Sequence, residues 1–193
     1  MKTHLLLLAF CIAALFVTHS PAKSPKVTLY AEGGLTHFAV ELRMRNSVGF
    51  GGGMLLRLSE KFAVGVEIQR YRADRPFEVI GGEQAFPLTV SRLMIAGNMQ
   101  ITSPGSLFEL AIRGGFGKLN FHRDGQEISL GALGSIELAE KSNAYPAVDI
   151  GPKFLFSIHR RSSFYVSPVI EGFWDKKMKY NLIFRGGVNV ALF

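Results

Sequence analysis

The sequence predicts an all-β fold, an eight-stranded antiparallel up-and-down transmembrane β-barrel, on three observations. Apolar and polar residues alternate with period two through most of the chain, connections alternate between short and long, and the few charges inside the strands are balanced in sign. No stretch after the first residues is apolar for long enough to make a spanning helix, so a membrane-embedded chain has to close its strands, because hydrocarbon offers no partner to an unpaired backbone group.

The first element is a targeting segment. Met1 and Lys2 precede an apolar run from Leu5 to Val17, and Ser20-Pro21-Ala22 supplies the small residues of a cleavage site. Residues 1–22 are therefore read as a signal peptide and 23–193 as one barrel domain. The only cysteine, Cys11, falls in the leader, which excludes thiol and disulfide chemistry from the mature chain. Bulky Phe10 before Cys11 argues against a lipid anchor there. Removing Lys2 lowers the net charge from +7 to +6.

Eight strands are expected at about 26–37, 48–58, 62–71, 90–102, 107–119, 147–158, 163–174 and 180–193. In the third, Phe62, Val64, Val66 and Ile68 share one face and Ala63, Gly65, Glu67 and Gln69 the other. The fifth sets Phe108, Leu110, Ile112 and Phe116 against Glu109, Ala111, Arg113 and Gly115. In the sixth, Val148, Ile150, Phe154 and Phe156 oppose Asp149, Gly151, Lys153 and Ser157. Tight turns are read at 59–61, 103–106 and 159–162, and long loops at 38–47, 72–89 and 120–146. The connection at 175–179 is short.

Alternation alone does not separate a membrane barrel from a soluble one with an apolar interior. The charges do. The polar faces carry Glu32, Glu67, Glu109, Asp149 and Glu171 against Arg57, Arg92, Arg113, Lys153 and Arg185, with small residues such as Gly51, Gly65, Ala96, Gly115 and Gly151 around them. Few charges, equal in sign, suit a narrow lumen in which every charge must be paired. Aromatic residues gather near strand ends, Phe62, Phe108 and Phe164 by the turns and Phe50, Tyr71, Phe116 and Trp174 by the loops. That placement fits two interfacial girdles and also ordinary strand propensity.

With its glycine-rich hairpin from Gly49 to Tyr71 and its last strand, Tyr180 to Phe193, the chain resembles the small outer-membrane barrels typified by outer-membrane protein X and the transmembrane domain of outer-membrane protein A, within the porin family. The resemblance implies the outer membrane as location and the barrel-assembly machinery as a partner, with Phe193 as the terminal assembly signal. Leu182, Phe184, Val188, Val190 and Leu192 alternate before it, which leaves Phe193 on the opposite parity unless a bulge intervenes.

The leading reading is a non-enzymatic outer-membrane barrel with a structural or surface-contact role through its loops. The rival readings are a lipid A-modifying enzyme and a narrow carrier of small hydrophobic molecules. His37 is the best-placed histidine for catalysis, but no motif of the deacylase family surrounds it, while His122 lies in a loop and His159 at the opposite end. No catalytic residue, metal or cofactor is assigned. Arg43, Arg45, Arg70, Arg72, Arg75, Lys118, Arg123, Lys176, Lys177 and Lys179 gather at the loop ends, either as a collar for lipopolysaccharide phosphates or as a solvated rim interleaved with Glu41, Asp74, Glu78, Asp124 and Asp175. Ile128, Leu130, Leu133, Ile136 and Leu138 make the 120–146 segment too apolar for a plain loop. It either protrudes as a hairpin that offers an edge to a surface partner or packs over the barrel mouth. The basic residues form no nucleic-acid module.

Overall fold

The computed structural model describes residues 27–79, 82–102, 106–129, 134–159 and 161–192. The expected leader with Cys11, the terminal Phe193, most of the 103–106 turn, Leu130 and Leu133 lie outside the described residues.

Eight antiparallel strands close into a barrel. They are β1 (Val27–His37), β2 (Ser47–Arg57), β3 (Phe62–Val79), β4 (Gly82–Gln100), β5 (Phe108–Arg123), β8 (Lys141–His159), β9 (Ser162–Asp175) and β10 (Lys177–Ala191). Each pairs with its neighbour along the chain, and β1 meets β10 from Thr28↔Ala191 to His37↔Leu182, so no edge of the sheet is left open. Between β5 and β8 a two-stranded hairpin forms from β6 (Gln126–Ser129) and β7 (Ser135–Leu138).

All eight expected strands are present, but two of the expected long loops are largely strand. β3 and β4 stay paired from Phe62↔Met99 to Val79↔Gly82, so 72–89 is a hairpin rising beyond the barrel. β5 and β8 stay paired as far as Arg123↔Lys141, which shrinks the 120–146 loop to the β6–β7 hairpin and its flanks. The reason is physical: above the apolar band a strand has no need of an apolar outer face, so alternation fades where pairing continues. Only the first loop keeps its expected length, and it holds a short 3₁₀ turn at Val40–Leu42 that ends on Arg43 in the left-handed region. The 175–179 connection turns on Lys176, also at positive φ.

Side-chain direction follows the pleat. Leu29, Ile68, Ile95, Ile112, Ile150, Ile170 and Phe184 stand exposed on the outer wall. Glu67, Arg92, Asp149, Glu171 and Arg185, on the alternate parity, are buried inside. Among the described side chains, outward charges on the paired strands are confined to the loop end, at Arg70, Arg72, Asp74 and Lys118. At the turn end the outer wall carries an aromatic cluster, with Phe108 tilted against Phe156 at 5.3 Å and Phe156 stacked on Phe164 at 4.6 Å.

Tyr71 is a correction: it points inward and is 2 % exposed, so it belongs to no outer girdle. Its ring lies over Gly49 on β2, where any Cβ would collide with it, and its hydroxyl donates to Gln69. Gly115 has a similar duty, since a Cβ there would sit 2.8 Å from Oδ1 of Asp149.

Candidate functional site

The lumen has three layers, each set by which residues fall on the inward parity. In the middle lies a charge network. Among the described residues the buried charged side chains are Glu32, Glu67, Asp149 and Glu171 against Arg92, Arg113, Lys153 and Arg185, four of each sign. Glu67 is one hub. It takes Arg185 Nη1 at 2.7 Å and Arg113 Nη2 at 2.5 Å, pairs also with Arg92, and accepts the Tyr30 hydroxyl at 2.8 Å. Asp149 is the other, with Arg113 Nη1 at 3.2 Å, Arg185 Nη2 at 3.4 Å and a close pair to Arg92.

Arg92 reaches a third carboxylate through Nε, 2.5 Å from Glu171, and Asn181 Nδ2 donates to the other oxygen of Glu171 at 3.0 Å. Glu32 accepts from Gln69 and from the Tyr165 hydroxyl. Three guanidinium forks spread over four carboxylates satisfy most of the donors and acceptors that burial removes from water, which is the condition for a buried ion cluster to be tolerated.

Eight of the ten charges expected in the lumenal network are in this layer. Arg57 and Glu109 are not: they point inward but line the wider part of the lumen at the turn end, where Glu109 accepts from Gln100 Nε2 at 2.9 Å. Both sit too close to the strand ends to reach the centre. Lys153 belongs to the layer by depth but meets rings, its ammonium 3.9 Å from the Tyr165 ring centre and 5.2 Å from that of Tyr30.

Above the charges, toward the loops, the inward positions turn apolar. Tyr71, Ala73, Val90, Met94, Leu119, Phe121, Ala147 and Phe173 form one buried cluster, and Phe38 from the first loop inserts into it at 3 % exposure. The next residue, Ala39, fixes that insertion by donating its backbone N–H to Asn181 Oδ1 at 3.0 Å, on the same side chain that holds Glu171. A polar interior does not lead one to expect this plug; the available signal is that Leu88, Val90, Leu119 and Phe121 fall on the inward parity while Thr89, Ser91 and Asn120 take the outward one. The lumen is thus closed by an apolar layer stacked on an ionic one.

Below the charges the lumen widens into a cavity of about 730 Å³ that opens at the turn end, as far as the described residues define it.

The basic residues of the expected collar divide. Arg70, Arg72 and Lys118 point outward from β3 and β5 near the loop end, on a wall whose intervening β4 positions are Thr89, Ser91 and Leu93. Arg43, Arg75, Lys176 and Lys177 are exposed on loops and strand ends, as is Arg45, whose backbone N–H donates to Asp74 O at 3.0 Å. Lys179 is held by Asp175 at 2.7 Å, and Arg123 donates to Ala139 O at 2.7 Å. The histidines do not converge: His37 meets Asn46 at 2.7 Å, His122 meets Asp124 at 2.9 Å, and His159 ends β8 at the opposite end. Among the described residues no group of three or more acidic, histidine or cysteine side chains is arranged to hold a metal.

Closure at eight strands, an apolar outer wall and a paired ionic interior define the class, that of the small eight-stranded barrels found among outer-membrane proteins. Solved structures with this fold include Neisserial surface protein A, at 7 % identity over 86 % of this chain and 96 % of that one with a TM-score of 0.58. The outer membrane protein OprG from Pseudomonas aeruginosa aligns at 6 % identity over 89 % of this chain and 98 % of that one, with a TM-score of 0.54. At these identities the likeness is one of fold alone. No family model and no curated protein matches the chain.

Proposed function

We propose that the chain is an integral outer-membrane barrel without enzymatic activity, closed to conduction, that contributes to the envelope as a structural element and meets its surroundings through its loop end. One observation carries the reading: the outer wall is apolar while the buried charges neutralise one another inside. In water such a wall would expose an apolar surface far larger than monomeric proteins carry, whereas hydrocarbon accepts it. The scattered histidines support the absence of catalysis, and the doubly blocked lumen supports the absence of transport. The extended β3–β4 ribbon and the β6–β7 hairpin are the elements available to a surface partner. The outward alternation of Leu182 to Leu192 on the last strand suits handling by the barrel-assembly machinery.

A second reading adds to this one. Arg70, Arg72 and Lys118 are outward cations just above the apolar band, at the height where lipopolysaccharide phosphates would lie, and the planar guanidinium fork suits phosphate. Membrane fractionation combined with a gel run before and after boiling tests the main proposal. The expected result is recovery with outer membranes and a different mobility of the unboiled form; a protein found in the aqueous fraction without detergent contradicts it.

A further inference from the structure

The cavity at the turn end is more than the residue of an imperfectly filled barrel. Its inner end is formed by Lys153, a cation only 3 % exposed that nonetheless lines the space. The three arginines beside it are turned toward Glu67, Asp149 and Glu171, and no carboxylate of the described residues lies within 4.0 Å of the Lys153 ammonium, which rests on the Tyr165 ring instead. Two amide side chains flank the same space. Asn189, 5 % exposed, donates through Nδ2 to Ser163 at 3.3 Å and leaves Oδ1 without a partner, as does Asn98. The walls between them are apolar, with Leu55, Ala63 and Ala111.

A buried ammonium with ring contacts alone and buried carbonyl oxygens without donors are costly in a dry cavity and useful in one that receives a ligand. Among the described residues the charges that line the cavity, Arg57, Lys61, Lys153 and Arg161 against Glu60 and Glu109, are four positive and two negative, a balance that attracts anions.

We propose that this cavity binds a small carboxylate that also carries an N–H or O–H donor, an amido acid or a hydroxy acid, with the carboxylate on Lys153 and the donor on Asn98 or Asn189. The lysine offers the cavity a single point charge, since the neighbouring guanidinium forks are taken up by Glu67, Asp149 and Glu171, which matches a singly charged head and not a phosphate dianion. The plug of Phe38 and Phe173 at the far end makes the site a dead end, so the ligand enters and leaves at the turns. The inference concerns the lumen and stands apart from what the outer wall contacts.

The test uses the full chain, its lysines ¹³C-methylated while unfolded and then refolded in detergent, with N-acetylglycine as the probe. The Lys153 methyl resonance is identified by its loss in Lys153→Arg, which keeps the charge. N-acetylglycine is expected to shift that resonance saturably, while the neutral N-acetylglycinamide leaves it in place. Ala111 pairs directly with Lys153 across β5 and β8, so Ala111→Phe fills the inner end without touching a charge and is expected to weaken the response by about tenfold or more. No shift of the Lys153 signal, an equal shift with the amide or with inorganic phosphate, or a response undiminished in Ala111→Phe overturns the proposal.

Discussion

Arg185 Nη1 lies 2.7 Å from Glu67 Oε1 although the two residues are 118 positions apart, so the last strand is tied through the centre of the barrel to the third. Glu67 receives Arg92 and Arg113 as well, and its loss would leave three buried guanidinium groups sharing the remaining carboxylates. Glu67→Leu is expected to lower stability by roughly 3–5 kcal/mol, the usual cost of breaking a buried ion pair from one side. Urea titration of the refolded barrel, read by mobility of the unboiled form, checks this.

Phe38 closes the loop end by a different force. It is the one large side chain of the first loop inside the buried cluster, and Phe38→Ala is expected to cost about 3–5 kcal/mol as the cavity fails to collapse. Because the ionic layer beneath stays intact, the variant is expected to remain silent in single-channel recordings in planar bilayers. Stepwise conductance in Phe38→Ala would show that the plug alone holds the lumen shut.

The outer cations make a separate prediction. Lipopolysaccharide binding by the refolded barrel is expected to fall when Arg70 and Arg72 are both changed to alanine, with stability nearly unchanged because both side chains are exposed. Unchanged binding removes the phosphate reading and leaves a solvated rim.

Much of this was legible in the residues themselves. Runs such as Phe62 to Gln69 fix both the strand and its inward face, since a one-residue slip would turn Glu67 into the outer wall. Eight central charges could be placed from parity alone. The loop end was harder for a physical reason: there Tyr71, Val90, Leu119 and Phe121 face inward while Arg70, Arg72 and Asn120 face outward, the reverse of the polarity in the band below. A reading that takes apolar for outside misplaces Tyr71 and ends the strands too early. Parity likewise does not give depth along the axis, which is why Arg57 and Glu109 were grouped with charges they do not reach.

The outer wall itself has a direct mutational test. Val66 stands outward, midway between Phe62 at the turn end and Arg70 on the same face, and is 47 % exposed. Val66→Arg is expected to destabilise the barrel in bilayers by roughly 2–4 kcal/mol near mid-depth. On a solvated surface the same change would be nearly neutral, so the urea midpoint in lipid distinguishes the two.

The most direct measurement uses fluorescence. The chain has a single tryptophan, Trp174, and Trp174→Phe combined with Ile150→Trp moves the only indole to the middle of the outer wall. Reconstituted in bilayers with brominated acyl chains, this variant is expected to be strongly quenched by the lipid and shielded from aqueous acrylamide. Emission that ignores the brominated chains and is quenched by acrylamide would mean that the wall faces water, and the membrane assignment would fall.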